Sequence, residues 1–430
     1  MAPTLFPTEP CNRRKFVVTA GLVVAGGIAA CSRKEVRSAQ DNPAKETPPS
    51  PDRETHEVPL LPTEPIIIRV RVGRVRDTGN AIVGQTNIQR TGDTWIAEGN
   101  PTGFTTNEHT IIFHTASDRT IRVDNQTKIV TGHVVVYPRN DLSLHAFDVV
   151  AHIPLETYLP GVLAGELYPH WHPTTYASQA VAARSYAVAE HLQRIHTSHY
   201  DVTDGPSSQM FVGNVMLDVA HQGVNETRGV VLMWKNTIIP AYYSACCGGI
   251  PATASDEISG AKQHEIPPLQ GHDGEDACTT LDIHKWSVQR HSRTLRRRLN
   301  ACAISMKTPS FGDIHSIRRI ESSRTNRHGR PTEIAIVDRR DNVFHVRTRE
   351  FIRAVNARIS SLPSPSPTIW SSFLIGNRRG SNIQLSGVGI GHGVGMCQYG
   401  AQELSKMGQT WQDILSWYYP NADMTTLSGS

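Results

Sequence analysis

Glu166 closes an otherwise apolar stretch, Val162-Leu163-Ala164-Gly165-Glu166-Leu167. A carboxyl among apolar neighbours loses hydration chiefly in its charged form, so its pKa rises and it can serve as a general acid near neutral pH. The alternative is an exposed acid on a helix face. A second feature is the run Gly387 to Gly395, with glycine at every second position. As an extended strand it would put Val388, Ile390, His392 and Val394 on one face and bare backbone on the other. A bare face admits a second backbone or a flat ligand such as a sugar ring. The run lacks the Lys-Ser/Thr of a phosphate loop, which makes nucleotide binding a poor reading. His170 and His172 have no third ligand nearby, which is thin support for a metal. Ser244-Ala245-Cys246-Cys247-Gly248-Gly249 reads as a strand end and turn, a nucleophile site or, preferably, a disulfide anchor.

The elements that must position these residues alternate in type. Residues 66–150 read as strands, with Ile66–Val72, Ile111–Phe113, Ile121–Val123 and His133–Tyr137 broken by Asp, Asn and Gly turns. The period then changes. Leu155–Leu167 is helix-like, with Pro160 early in it or kinking it. A second helix begins at Pro173 and runs to about Arg194, its alanines making it thin enough to pack closely. Strands return at Gly229–Trp234 and Ile238–Ser244. Residues 281–300 read as a helix whose Arg293, Arg296, Arg297 and Arg298 form a solvated basic face. Strands over 314–346, a helix at Thr348–Ile359 and two short helices, Gln398–Met407 and Thr410–Tyr418, follow.

The N-terminus addresses location. Arg13-Arg14-Lys15-Phe16-Val17 is a twin-arginine pattern, and the apolar run Val17–Ala30 fits a signal-peptide core and is too short to span a bilayer alone. It ends Ile28-Ala29-Ala30-Cys31, which is similar to the lipobox of bacterial lipoproteins, with Cys31 as the lipidated residue. Export followed by membrane anchoring in the periplasm or cell envelope is the expectation. Residues 32–64, rich in Pro and charge, read as an extended disordered tether. The chain of 430 residues has a net charge of +4, part of it in the signal-like segment. The remainder is too near neutral for a nucleic-acid binder with a basic surface. With 38% apolar and 19% charged residues, the rest can fold around a core. In an oxidising compartment, Cys246, Cys247, Cys278, Cys302 and Cys397 would leave at least one thiol free; Cys246 or Cys247 with Cys278 is the preferred disulfide.

Taken together, the segments resemble one family. Tyr158-Leu159-Pro160-Gly161-Val162-Leu163-Ala164-Gly165-Glu166, Gln179–Ala187, Tyr200-Asp201-Val202-Thr203-Asp204 with Gln209, Thr227-Arg228-Gly229, and Gly391-His392-Gly393-Val394-Gly395-Met396-Cys397-Gln398-Tyr399-Gly400-Ala401 look like the signatures of the stage II sporulation protein D (SpoIID/LytB) family. The resemblance implies a lytic transglycosylase that cleaves peptidoglycan strands between N-acetylmuramic acid and N-acetylglucosamine, with Glu166 as acid and then base. It also implies cleft roles for Arg184, Gln209, Ser244, His392 and Tyr399, and no cofactor. Parts of the family are described as amidase enhancers, so a non-catalytic peptidoglycan binder that stimulates a cell-wall amidase is the second reading. A cysteine peptidase using Cys246 or Cys247 with His392 is the third. Some members hold zinc with cysteines near the Tyr-Asp segment; Asp204-Gly205-Pro206-Ser207-Ser208-Gln209 has neither Cys nor His, so that metal is not expected. The expected fold is a two-lobed α+β structure with a cleft lined by the Glu166 helix and the alternating glycines. Its parts would be a signal (1–31), the tether (32–64), a β-rich portion (65–150) and the catalytic region (151–424).

Overall fold

Alternation along Ile67–Val75 turns Ile68, Val70 and Val72 inward, and this strand seeds a six-stranded sheet. Its order is Val202–Thr203, Ile67–Val75, Phe147–Pro154, His133–Pro138, Ile111–Phe113 and Phe104–Thr106. A five-stranded antiparallel sheet from 81–131 packs into the same core. The computed structural model describes residues 65–428 apart from 100–103, 107–109, 115–117, 259–264 and 309–310. The chain divides into the units Met1–His56 and Glu57–Ser430, and the described residues belong to the second. The twin-arginine run, Cys31 and the tether 32–64 lie outside the described residues. No helix among the described residues is long and apolar enough to cross a membrane.

The strand Phe147–Pro154 runs directly into the helix Leu155–Glu166, with Pro160 inside it. The helix Pro173–Arg194 follows with the bounds its pattern implies. Pro173 opens it, and His172 caps it by accepting from the Thr174 amide at 3.2 Å, so this histidine serves the helix end. Every side chain from Thr175 to Val188 is buried, because small residues let other elements close on all sides.

A second six-stranded sheet, all antiparallel, has the order Lys285–His291, Asn382–Val388, Leu374–Arg379, Arg319–Thr325, Pro331–Val337 and Val343–Arg347. Helices Ser292–Cys302 and Thr348–Asn356 share its core through Leu295, Leu299 and Phe351. A third core joins Val181 and Leu232 to Cys247, Val394 and Tyr418. The architecture is mixed α+β, as expected.

Three local expectations do not hold. Residues 285–291 form a strand, and the helix begins only at Ser292: Trp286 and Val288 point inward on alternate positions, which a strand satisfies and a helix does not. Arg298 is buried on that helix and donates to the Ala357 and Pro363 carbonyls, so it does not belong to a solvated face. The alternating glycines are also not an extended strand. The strand ends at Val388, and Gly389, Gly391, Gly393 and Gly395 take φ of +85°, +94°, +73° and +66°. A Cβ at Gly395 would lie 2.0 Å from the Tyr242 carbonyl oxygen, so a second backbone occupies the bare side.

Gly408, which separates the last two helices, also has positive φ (+84°), but a Cβ there meets nothing within 4 Å. Gly408→Ala should therefore cost about 1–2 kcal/mol from backbone strain alone. Gly395→Ala adds a backbone collision and should cost about 3 kcal/mol or more. Urea unfolding of the two variants checks the ranking.

Candidate functional site

Glu166 is the last residue of its helix, and its carboxylate is held by two donors. The Met210 amide donates to Oε1 at 2.8 Å, and the Gln398 side-chain amide donates to Oε2 at 3.2 Å. The first donor arrives because the helix presents glycine where residues 210–213 cross it. A Cβ at Gly161 would lie 2.2 Å from the Gly213 carbonyl oxygen, and one at Gly165 would lie 2.8 Å from that of Met210. The second donor starts the helix Gln398–Lys406, directly after the left-handed glycines. Gln179 accepts from the same Gln398 amide at 3.4 Å.

Burial raises the Glu166 pKa; the bonds from Met210 and Gln398 pull it back without cancelling the effect. Among the described residues, no second acidic side chain is among the groups that set its proton affinity. Tyr243 lies close enough for the Glu166 charge to help raise its hydroxyl pKa, after the larger effect of burial. Tyr243 also lines a groove of about 690 Å³ with Tyr186, Tyr242, Ser208 and His392. Burial, with the Arg330 guanidinium nearby, pushes His392 down to about 4, so this side chain is neutral at physiological pH.

The other expected site residues divide sharply. Of the five proposed for the cleft, His392 is the one among the groove's lining residues. Arg184 is fully buried and grips Glu156 with two bonds of 2.8 Å while donating to the Val230 carbonyl at 3.1 Å. Gln209 is also fully buried, donating to the Tyr243 hydroxyl at 3.0 Å and to the Ala183 carbonyl at 3.2 Å. Ser244 accepts from the Gly393 amide at 3.0 Å and so ties down the glycine segment. Tyr399 packs edge-on against Trp171, ring centres 5.0 Å apart. Asp201 accepts from the Arg69 backbone and side chain at 2.9 Å and meets His191 at 2.9 Å; this pins the start of the segment that carries Met210.

Four of the five described cysteines, Cys246, Cys247, Cys278 and Cys397, share one core, and Cys302 lies in another. Cys246, Cys247, Cys278, Cys302 and Cys397 are all free and buried. Cys278 was expected to bond to Cys246 or Cys247; both are free, and the Cys247 and Cys278 sulfurs stand 3.6 Å apart, well beyond a disulfide length of about 2.05 Å. Buried sulfurs do not suit a peptidase nucleophile that must reach a substrate. Two functional groups escaped the sequence reading. Gln398 lay inside a recognised motif but carries no charge to draw attention, and Met210 acts through its backbone, which residue type does not reveal.

Residues 143–234 match the family model described as stage II sporulation protein, SpoIID. The chain carries a SpoIID domain. Relatives extend the likeness beyond the domain. An uncharacterized protein of Brachyspira hyodysenteriae is 28% identical over 68% of this chain and 71% of its own length. The amidase enhancer of Bacillus subtilis is 23% identical over 62% of this chain but only 40% of its own length. Stage II sporulation protein D of Bacillus amyloliquefaciens is 24% identical over 64% of this chain and 75% of its own. The SpoIID domain contains Glu166, Arg184, Gln209 and Met210, whereas Gln398 and His392 come from outside it.

Arg184→Met would take the fully buried guanidinium away from Glu156, whose side chain is 15% exposed, and should destabilise the fold by about 1–3 kcal/mol, read by urea unfolding. Gln398→Leu removes a bond that favours the ionised form of Glu166. The Glu166 titration should then move to higher pH, followed by carboxyl carbon NMR.

Proposed function

We propose that this chain is a cell-wall enzyme that cleaves peptidoglycan glycan strands as a lytic transglycosylase, with Glu166 as its acid and base. The carrying observation is a single carboxyl whose burial favours the protonated form, held by two donors that favour the anion. Protonated Glu166 gives its hydrogen to the bridging oxygen between N-acetylmuramic acid and N-acetylglucosamine as the C1–O bond breaks. The resulting carboxylate, stabilised by Met210 and Gln398, then takes the proton of the sugar's own 6-hydroxyl as that oxygen attacks C1. The product is a 1,6-anhydro end and no water is consumed, so one carboxyl suffices where hydrolytic glycosidases usually need two. The groove under Tyr186, Tyr242, Tyr243 and His392 supplies aromatic and polar surface suited to sugar rings.

The N-terminal pattern supports the same setting. In this proposal the twin-arginine segment exports the chain, Cys31 takes a lipid, and the Pro-rich residues 32–64 hold the catalytic part away from the membrane. The amidase enhancer among the relatives favours a second reading, in which the chain binds murein and stimulates an amidase without cutting glycan.

Purified chain incubated with glycan strands, with and without stem peptides, should release anhydro-ended fragments detectable by mass spectrometry. Glu166→Gln should lower that release by about 10²–10⁴-fold. Because the protonated form is the acid, wild-type cleavage should fall as pH rises through the elevated Glu166 pKa, and the variant's residual rate should lack this limb. Unchanged release in Glu166→Gln defeats the catalytic reading. Amidase stimulation with no anhydro product favours the binder.

A further inference from the structure

Three distant segments bring Cys247, Asp276, Cys278 and Cys397 together. One ligand atom from each lies within 4.8 Å of all the others, and none of the four residues is more than 1% exposed. The 3.6 Å between the Cys247 and Cys278 sulfurs is informative. A tetrahedral ion with metal–sulfur bonds of about 2.3 Å sets its sulfurs about 3.8 Å apart.

The surroundings point to a bound cation independently of that spacing. Oδ2 of the fully buried Asp276 has no hydrogen-bond partner. Its Oδ1 accepts from the Cys278 amide at 2.8 Å, which fixes the carboxylate's orientation. His272, 3% exposed, has both ring nitrogens without a hydrogen-bond partner, and its Nε2 stands 3.4 Å from Asp276 Oδ2. The Cys397 sulfur accepts from the Cys247 and Gly400 amides, each at 3.3 Å, an arrangement that suits a thiolate. A buried carboxylate with one oxygen lacking a hydrogen bond, beside three thiols and a histidine 3.4 Å away that lacks one too, is costly unless positive charge compensates it.

We propose that Cys247, Cys278 and Cys397, with Asp276 as the fourth ligand, form a structural site for one zinc-class divalent cation. Three S–H bonds break as three sulfur–metal bonds form; the three protons leave to solvent and no redox change occurs. Four protein ligands close the coordination sphere, so the ion has no open position for catalysis. Thiolates select a soft or borderline ion over magnesium or calcium. His272 lies outside the ligand shell and holds Asp276 in place. This site is distinct from the Tyr-Asp segment, where the sequence gives no reason to expect zinc. It stands in place of the expected disulfide of Cys246 or Cys247 with Cys278. The ion would tie together the turns at 247 and 276–278 and residue 397, immediately before the Gln398 that holds Glu166.

The test uses full-length chain purified without chelator. Elemental analysis should find one zinc per chain, and replacement by Co²⁺ should give thiolate-to-cobalt absorption. Cys247, Cys278 and Cys397 should resist alkylation in the native protein and react together once chelator is added in denaturant. Cys278→Ser and Asp276→Asn should lower metal content, and His272→Ala should weaken metal affinity about 10–100-fold. Cys302→Ser, in the other sheet's core, should leave it unchanged. Wild-type chain that is metal-free and bridged Cys247–Cys278 overturns the proposal, as does full zinc content in Cys278→Ser. Iron with inorganic sulfide in place of zinc overturns it as well.

Discussion

The Glu166 carboxylate is the meeting point on which the described architecture converges. Its two donors come from residues 44 and 232 positions further along the chain. Neither contact is local, so neither can form until the long connections are closed, and the cost of closing them must be met by packing elsewhere. The third core, which contains Val181, Leu232, Val394 and Tyr418, supplies that packing between the helix Pro173–Arg194 and the C-terminal segment. The carboxylate is therefore held by tertiary structure, and its proton affinity is a property of the assembled fold.

Desolvation acts on several acidic groups here, and what opposes it decides their role. Asp201 has Arg69 and His191, and these outweigh burial to bring its pKa below the usual carboxylate value. Glu156 pairs with the fully buried Arg184. Glu166 receives only neutral donors, so burial prevails and its pKa rises. The first two acids can serve as fixed charges that hold segments together. Only the third is held by neutral donors alone, so for Glu166 burial favours the protonated form.

The helices were legible because their local signals agreed. Pro173 at the start, a polar cap at His172 and alanines at many of the buried positions mark out Pro173–Arg194. The strand Ile67–Val75 was legible for the same reason, through its alternation. Lys285–His291 was not, because the arginines that follow it drew the helix too far back over a segment whose Trp286 and Val288 already alternated. The glycine run is the more instructive case. Its spacing is plain in the sequence, but spacing does not encode the sign of φ, and the left-handed backbone that only glycine adopts readily is what lets Tyr242 and Ser244 approach. Family likeness directed attention to Arg184 and Gln209, yet both are buried staples, while the contacts that matter to Glu166 run through a neutral amide and a backbone N–H.

The cysteines and the carboxyl share one backbone. Cys397 accepts from the Gly400 amide at the start of the last long helix, and the next residue, Gln398, reaches Glu166. Any constraint on the Cys397 sulfur is therefore transmitted to Gln398 across a single peptide unit, which is stiff. A metal there would reduce the freedom of the donor without touching the acid, and a thiol left unligated would leave that position to packing alone. The same left-handed glycines that bring Cys397 against the Cys247 turn also set the direction from which Gln398 enters. In this fold, placing the sulfurs and placing the donor are one geometric problem, solved by a backbone path that residues with a Cβ could not follow.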